Sequence, residues 1–262
     1  METVLITGAS SGIGYELAKV FAKNGHNLVL TARNENALNQ LADEVKKEYH
    51  VSAKVIAEDL SKPTAPEKIL EQIEQDHAEI DILVNNAGFG SYGLFHETSL
   101  TTSTDILQVN VVALTRLTKL ILQEMIKKKS GKVLNVASTA AFHAGPLEAV
   151  YAASKAYVLS FSEALENELR EFGISVTALC PGATETGFQK RAGMENCKVW
   201  SGPTMNAKTV AEIGYQALMN KRSLTIPGLR NKVLIAGAKL VPRSWATHVT
   251  RRMLERTDPT AP

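Results

Sequence analysis

The chain has 262 residues, of which 44% are apolar and 21% charged, with a formal charge of +2. That fits one large α/β domain with a substantial core, or at most two small ones, and gives no case for nucleic acid or a strongly acidic partner. With only Cys180 and Cys197 present, the chain is not built on disulfides and suits a reducing compartment. Met1-Glu2-Thr3 runs straight into a strand pattern, without the basic start and apolar core of a signal peptide, and no apolar stretch approaches the ~20 residues needed to span a bilayer. A cytoplasmic location without stable membrane insertion is therefore expected.

Short β-branched runs alternate with longer helical patterns, as in βαβ units with a parallel sheet. Val4 to Thr7 reads as the first strand, followed by a Gly-rich turn and a helix from about Ile13 to Asn24. Asn27 to Ala32 is the second strand, and Asn34 caps a helix to about Tyr49. Ser52 to Ala57, a helix from about Thr64 to His77, and Ile80 to Asn85 come next. A long helical pattern from about Ser103 to Lys129 ends in three lysines, which suit a helix C-terminus. The fifth strand is Lys132 to Ala137, a helix spans Glu148 to Arg170, and the sixth strand is Ser175 to Cys180. Cys180 reads as a small buried residue; Cys197, in a polar stretch, is left open. The segment 184–206 has no clear period and exceeds a normal connection, so it reads as a substrate lid. A helix (Ala207 to Asn220), a short strand (Leu224 to Pro227) and an amphipathic helical extension, about 230–256, complete the chain. The expected fold is a Rossmann-type, doubly wound three-layer α/β sandwich with a mostly parallel seven-stranded sheet, in a single domain over 1–262.

Two stretches carry chemistry. Thr7-Gly8-Ala9-Ser10-Ser11-Gly12-Ile13-Gly14 joins the first strand to the first helix, where glycines let the backbone approach a pyrophosphate drawn to the helix N-terminus. Its spacing, Gly-x-x-x-Gly-x-Gly, departs from the Gly-x-Gly-x-x-Gly fingerprint. In Tyr151-Ala152-Ala153-Ser154-Lys155, positions four apart share one helix face, so the phenol and the ammonium point into one pocket. A fixed cation there is expected to favour the phenolate and move the Tyr151 pKa towards working pH. Ser138, ending the fifth strand, is placed to hydrogen-bond the oxygen that Tyr151 protonates. The bland reading, an ordinary surface helix, is weighed against these neighbours.

Together these motifs resemble the single-domain short-chain dehydrogenase/reductase family over nearly all of residues 3 to 227. The resemblance rests on Thr7 to Gly14, on Asn85-Asn86-Ala87-Gly88 after the fourth strand, on Asn110, Ser138, Tyr151 and Lys155, and on Pro181-Gly182 with Thr186. It implies a cofactor site of Gly8, Ser10, Ser11, Gly12, Ile13, Gly14, Arg33, Asp59, Leu60, Asn86, Ala87, Gly88, Tyr151, Lys155, Pro181, Gly182, Thr184 and Thr186. Asp59 would meet the adenine edge or simply cap the next turn. Asn110 would help feed protons through a water to Lys155, or is a satisfied core Asn. Asn85 and Asn86 could equally be turn formers. Ala32 stands where NAD-preferring relatives carry Asp, and Arg33 follows it; an Arg there accommodates a 2′-phosphate, so NADP(H) is expected.

The expected reaction moves hydride between nicotinamide and a carbonyl carbon, with Tyr151 as acid/base. Phe89, Tyr92, Ala140, Phe142, Leu147, Phe188, Met194 and Trp200 are expected to face the substrate or to pack on the core, which favours a hydrophobic ketone or aldehyde. Ketoacyl-thioester and hydroxysteroid reduction are the alternatives, with a non-catalytic NADP(H) sensor and an epimerase behind them. Lys190 and Arg191 would meet an acidic or acyl-carrier substrate, or stay solvated, the favoured reading. The six scattered histidines give no metal-ligand spacing. The extension could cover the pocket, join a subunit interface or lie on a membrane; the first two are favoured. The resemblance also implies a homodimer or homotetramer, often joined through the long fourth and fifth helices.

Overall fold

Val4, Leu5 and Ile6 are fully buried, which only a strand covered on both faces allows. They form β1 (Thr3–Thr7), the strand around which the rest is wound. The computed structural model describes residues 1–257, apart from the side chain of Lys239. Residues 258–262, the end of the expected domain, lie outside the described residues.

After β1 come α1 (Gly12–Lys23), β2 (Asn27–Ala32), α2 (Glu35–Tyr49), β3 (Ala53–Ala57), α3 (Ala65–Gln75) and β4 (Ile82–Asn85). They are followed by α4 (Leu100–Leu107), α5 (Leu114–Lys128), β5 (Gly131–Val136), α6 (Ala149–Leu169) and β6 (Ile174–Leu179). The remainder holds β7 (Thr184–Glu185), α7 (Phe188–Ala192), β8 (Met205–Asn206), α8 (Ala207–Met219), β9 (Leu224–Thr225), α9 (Leu229–Lys239) and α10 (Arg243–Leu254). The main sheet has seven strands in the order β3-β2-β1-β4-β5-β6-β9. Every neighbouring pair in it is parallel.

One face is covered by α1, α2 and α8, through Leu17, Phe21, Leu38, Leu41, Val210 and Leu218. The other is covered by α3, α5 and α6, through Ile69, Ile73, Leu117, Ile121, Met125 and Leu169. The Rossmann-type sandwich is therefore as the sequence leads one to expect. Strand order reverses at β1, which pairs with β2 on one side and β4 on the other. A crevice opens at such a switch point, beyond the carboxyl ends of the strands.

Buried polar groups cross the sheet beneath that crevice. Asn85 Nδ2 donates to Thr118 Oγ1 and to Asn135 Oδ1, each at 2.9 Å, and Asn135 Nδ2 donates to Ser162 Oγ at 2.9 Å. The chain links β4, β5, α5 and α6 and leaves each amide satisfied.

Three expectations need correction. The long helix before β5 begins at Leu100 and is interrupted by a π-helical turn, Gln108–Ala113, between α4 and α5. The lid is not irregular: β7 pairs with β8, and Met194, Cys197 and Leu254 bury themselves with Ala192 in a small core of their own. Cys197, in a stretch that looked polar, is buried there. The extension is two helices, and its end is stitched to the lid: Lys198 N–H donates to Glu255 O at 2.9 Å and Thr257 N–H to Asn196 O at 2.7 Å.

Candidate active site

The β1–α1 turn approaches β4 closely because only glycines stand in between. The Gly8 backbone takes a φ of +66°, and Asn86 Nδ2 donates to Thr7 O at 2.9 Å and Gly8 O at 3.2 Å. Thr7 Oγ1 accepts the backbone N–H of Asn86 and of Ala87, both at 3.0 Å. A Cβ at Gly14 would fall well inside van der Waals distance of Gly8 O and Asn86 Nδ2. Gly14→Ala is accordingly expected to spread this turn and weaken nicotinamide-nucleotide binding by tenfold or more, at an order-of-magnitude stability cost of 1–3 kcal/mol from overpacking. Isothermal titration and thermal melting check both; an unaltered affinity would refute the close-approach argument.

The crevice is one cavity of about 1080 Å³. Gly8, Ser10, Ser11, Gly12 and Ile13 line it, as do Arg33, Asp59, Leu60, Asn86, Ala87 and Gly88 at the β2, β3 and β4 ends. Pro181, Gly182, Thr184 and Thr186 line the opposite wall after β6, with Ser138, Ala140, Tyr151, Lys155, Phe188 and Trp200 deeper in. Ser11, the N-cap of α1, makes no side-chain cap bond, so it leaves the first-turn N–H groups of α1 uncapped where Gly12 and Ile13 line the cavity. Thr184 Oγ1 donates to Gly182 O at 2.9 Å, and Thr186 Oγ1 accepts from Phe188 N–H at 3.2 Å, which shapes the turn into α7.

Gly14, Asn110 and Phe142 do not line the cavity. Gly14 is a packing glycine. Phe142 packs instead on the cluster of Leu114, Val158 and Cys180, because the 3₁₀ turn after Ser138 carries it under α6. Asn110 sits in the π-helical turn, where its Oδ1 accepts Phe89 N–H at 3.1 Å and its Nδ2 donates to Phe89 O at 3.0 Å and Ser154 Oγ at 2.9 Å. It thus fixes the segment after β4, with Gly88 wedged between it and Lys155. Tyr92 and Leu147 also leave the cavity wall: they pack on the lid core, and Tyr92 Oη donates to Leu254 O at 2.8 Å.

Asp59 Oδ1 accepts Ser61 N–H at 3.0 Å, so it caps the next turn while lining the cavity. Near it lie two guanidinium groups. Arg191 packs over the Phe89 ring at 4.4 Å, and its pKa is lowered by burial and then by the Arg33 cation, with Asp59 opposing. Arg191 lines the cavity rim while staying exposed to solvent, and Lys190 is exposed as well.

At the deep end, Lys155 is buried and its Nζ donates to Val136 O at 2.8 Å, 5.8 Å from the Tyr151 ring centroid. Ser138 Oγ accepts Ala140 N–H at 3.1 Å. Tyr151 packs on Phe188 with ring centroids 5.1 Å apart. Burial raises the Tyr151 pKa, Glu148 raises it further, and contact with the Ser138 hydroxyl opposes both. Lys155 is lowered to about 8, by burial with Cys180 opposing. The expected depression of the phenol by Lys155 is therefore not what these residues produce among themselves; burial and Glu148 raise it.

Sequence reading missed Glu148. It lines the cavity one turn before Tyr151, is buried, and burial lifts its carboxyl to about 7. Its place at the helix N-terminus, where carboxylates are ordinary solvated caps, hid it.

This geometry is that of a known family. Residues 2–196 match the family model described as short chain dehydrogenase. The chain belongs to that family of oxidoreductases, whose members use a nicotinamide cofactor. It is 30% identical to the ketoacyl reductase HetN of Nostoc sp. (strain PCC 7120) over 252 residues, 93% of this chain and 86% of that protein. It is 38% identical to a short chain dehydrogenase of Pseudocercospora fijiensis over 71% of this chain, spanning 60% of that protein's length. Among solved structures it resembles a short-chain dehydrogenase from Sphingobium yanoikuyae in complex with NADPH, at 33% identity and a TM-score of 0.83, covering 92% of this chain and 94% of that one.

Proposed function

We propose that the chain is an NADP(H)-dependent reductase of a hydrophobic ketone or aldehyde, or the dehydrogenase of the matching secondary alcohol. The observation that carries this is the convergence of Ser138, Tyr151 and Lys155 at the deep end of a cavity that has Arg33 and Arg191 at its other end. At about 1080 Å³ that cavity exceeds the roughly 300–1,000 Å³ of most small-ligand sites, so a dinucleotide and a substrate fit together.

The donor set also fits the cofactor. The N–H groups at the start of α1 would take the pyrophosphate, and the two guanidiniums suit a 2′-phosphate. Asn86, Ala87, Gly88, Pro181, Gly182, Thr184 and Thr186 would hold the ribose and carboxamide. Bound nicotinamide supplies or accepts the hydride. Lys155 would bind ribose hydroxyls, and Tyr151 would give its proton to the carbonyl oxygen in reduction and take it back in oxidation. Ser138 would hold that oxygen, and Asn110 fixes the backbone beside Lys155. Ala140, Phe188 and Trp200 would present an apolar surface to the substrate.

NADPH oxidation against a panel of ketones and aldehydes, including β-ketoacyl thioesters and steroids, tests the reading. Tight NADPH binding without oxidation of any of them would favour a sensor. The 30% identity to a ketoacyl reductase over nearly the whole chain favours thioesters as a second reading. Arg33→Ala is expected to weaken NADP⁺ about ten- to a hundredfold, the loss of a charge-assisted pair, and to leave NAD⁺ unaltered. An equal loss for both nucleotides would refute the 2′-phosphate assignment.

Residues 1–262 would form one NADP-binding domain with a lid over about 184–206 and a helical extension over about 230–256. Among the described residues no helix is long and apolar enough to cross a membrane, and a cytoplasmic homodimer or homotetramer is proposed. Leu107, Val112 and Tyr157 are exposed along α4, the π-helical turn and α6, which supports those helices as the joining face.

A further inference from the structure

The α9–α10 hairpin buries Ile235 and Leu254 but leaves most of its large apolar side chains outside. Of the fifteen large apolar residues that are well exposed among the described ones, eight fall between Leu229 and Met253. On α10, Trp245, Val249 and Met253 recur every fourth residue and form one stripe; Leu229 and Val233 share a face of α9, and Leu240 follows just past its end. At the tip between the helices, Leu240 is 87% exposed and Trp245 69%. Neither lines the cavity, so the tip is not part of a lid closed over substrate.

Charge says what covers this face. Residues 229–254 contain six Lys or Arg and no Asp or Glu, so the rest of a chain of net charge +2 carries −4. Arg230, Lys232, Arg243 and Arg252 are exposed, and none of them lies in an ion pair among the described residues. A second copy would bring like charges together, which opposes a two-fold interface here. An anionic lipid surface complements both features: apolar residues with a tryptophan enter the interface while the arginines stay among headgroups.

We propose that the α9–α10 hairpin docks reversibly on an anionic bilayer, with Leu240 and Trp245 entering it. The cavity mouth shares Leu229, Val233, Leu234, Val241, Val249 and Met253 with this face. Docking therefore sets the mouth against the lipid, and an apolar carbonyl substrate passes from bilayer to Tyr151 without crossing water. The docking stands without the carbonyl-reductase reading; the access route rests on it.

The test is flotation of the full chain with vesicles of phosphatidylcholine, alone or with about a third phosphatidylglycerol, at roughly physiological ionic strength. Binding to the anionic vesicles is expected to be at least about tenfold tighter and to weaken as salt rises. Leu240→Glu with Trp245→Glu is expected to remove it while leaving turnover of a short water-soluble ketone unaltered. Arg243→Gln with Arg252→Gln is expected to lower affinity about tenfold or more. Quenching of the Trp245 emission by brominated lipid in a Trp200→Phe background reads insertion directly. No flotation, equal flotation on both vesicle types, or self-association that the Glu pair abolishes in place of vesicle binding would each overturn the proposal. Tyr151→Phe should float like the parent chain: flotation without turnover of any ketone sinks the proposed function alone, and turnover without flotation sinks the docking alone.

Discussion

Tyr151→Phe is expected to lower kcat about 10²- to 10⁴-fold, the range ascribed to a positioned general acid, while NADPH affinity stays close to that of the parent chain. The substitution removes one oxygen and keeps the ring that packs on Phe188. Its effect should therefore fall on the chemical step, with kcat and kcat/KM falling together. Direction matters too. Burial and Glu148 hold the Tyr151 pKa above its ordinary value, so the neutral phenol is the resident form and is ready to donate in reduction. Oxidation needs the phenolate and should become faster as pH rises. Stopped-flow NADPH oxidation and direct fluorescence titration separate the two quantities. A variant that keeps most of its kcat would refute the assignment of the acid, and a lost NADPH affinity with kcat intact would make Tyr151 a cofactor anchor only.

The features legible in the sequence were those with a local cause. β-branched runs marked the strands, and four-residue spacing put Tyr151 and Lys155 on one face. Glycine spacing marked the α1 turn, where Gly14 is indeed required by close approach. Features set by distant contacts were hidden. The π-helical turn at 108–113 holds Asn110 where it bonds Phe89 twenty-one residues away, and helical periodicity alone does not register one inserted turn. Phe142 has the composition of a pocket residue, yet a single 3₁₀ turn decides whether it points at the substrate or the core. The order of the lid comes from Cys197, Met194 and Leu254 meeting across some sixty residues, a pairing no local pattern encodes. The direction of the Tyr151 shift is hidden for a related reason: Lys155 is close, but sequence does not show how deeply both are buried.

That burial gives the second large effect. Lys155→Met is expected to abolish turnover and, in the same protein, to raise its stability at pH 7. Burial lowers the Lys155 pKa to about 8 in the folded chain from an ordinary value of 10.5. Because the folded value lies below the unfolded one, the unfolded chain holds a proton between those limits that the native chain lacks. Native stability therefore rises with pH across roughly 8 to 10.5, and below about 8 the buried charge exacts its full cost, on the order of 3 kcal/mol. Methionine fills much of the same volume without that charge, but leaves Val136 O without its donor, which costs about 1–2 kcal/mol. The balance at pH 7 is a gain of about 1–2 kcal/mol, a rise of a few degrees in melting temperature for a chain of this size. The gain should shrink as pH climbs above 8, when the native lysine is already neutral. Melting curves of the cofactor-free protein at pH 7 and 9.5 decide it. A variant less stable at both would mean that the Val136 bond and lysine packing outweigh desolvation. A variant more stable at pH 7 would show an ammonium held at the base of the cavity against the folding free energy, as expected where activity opposes stability.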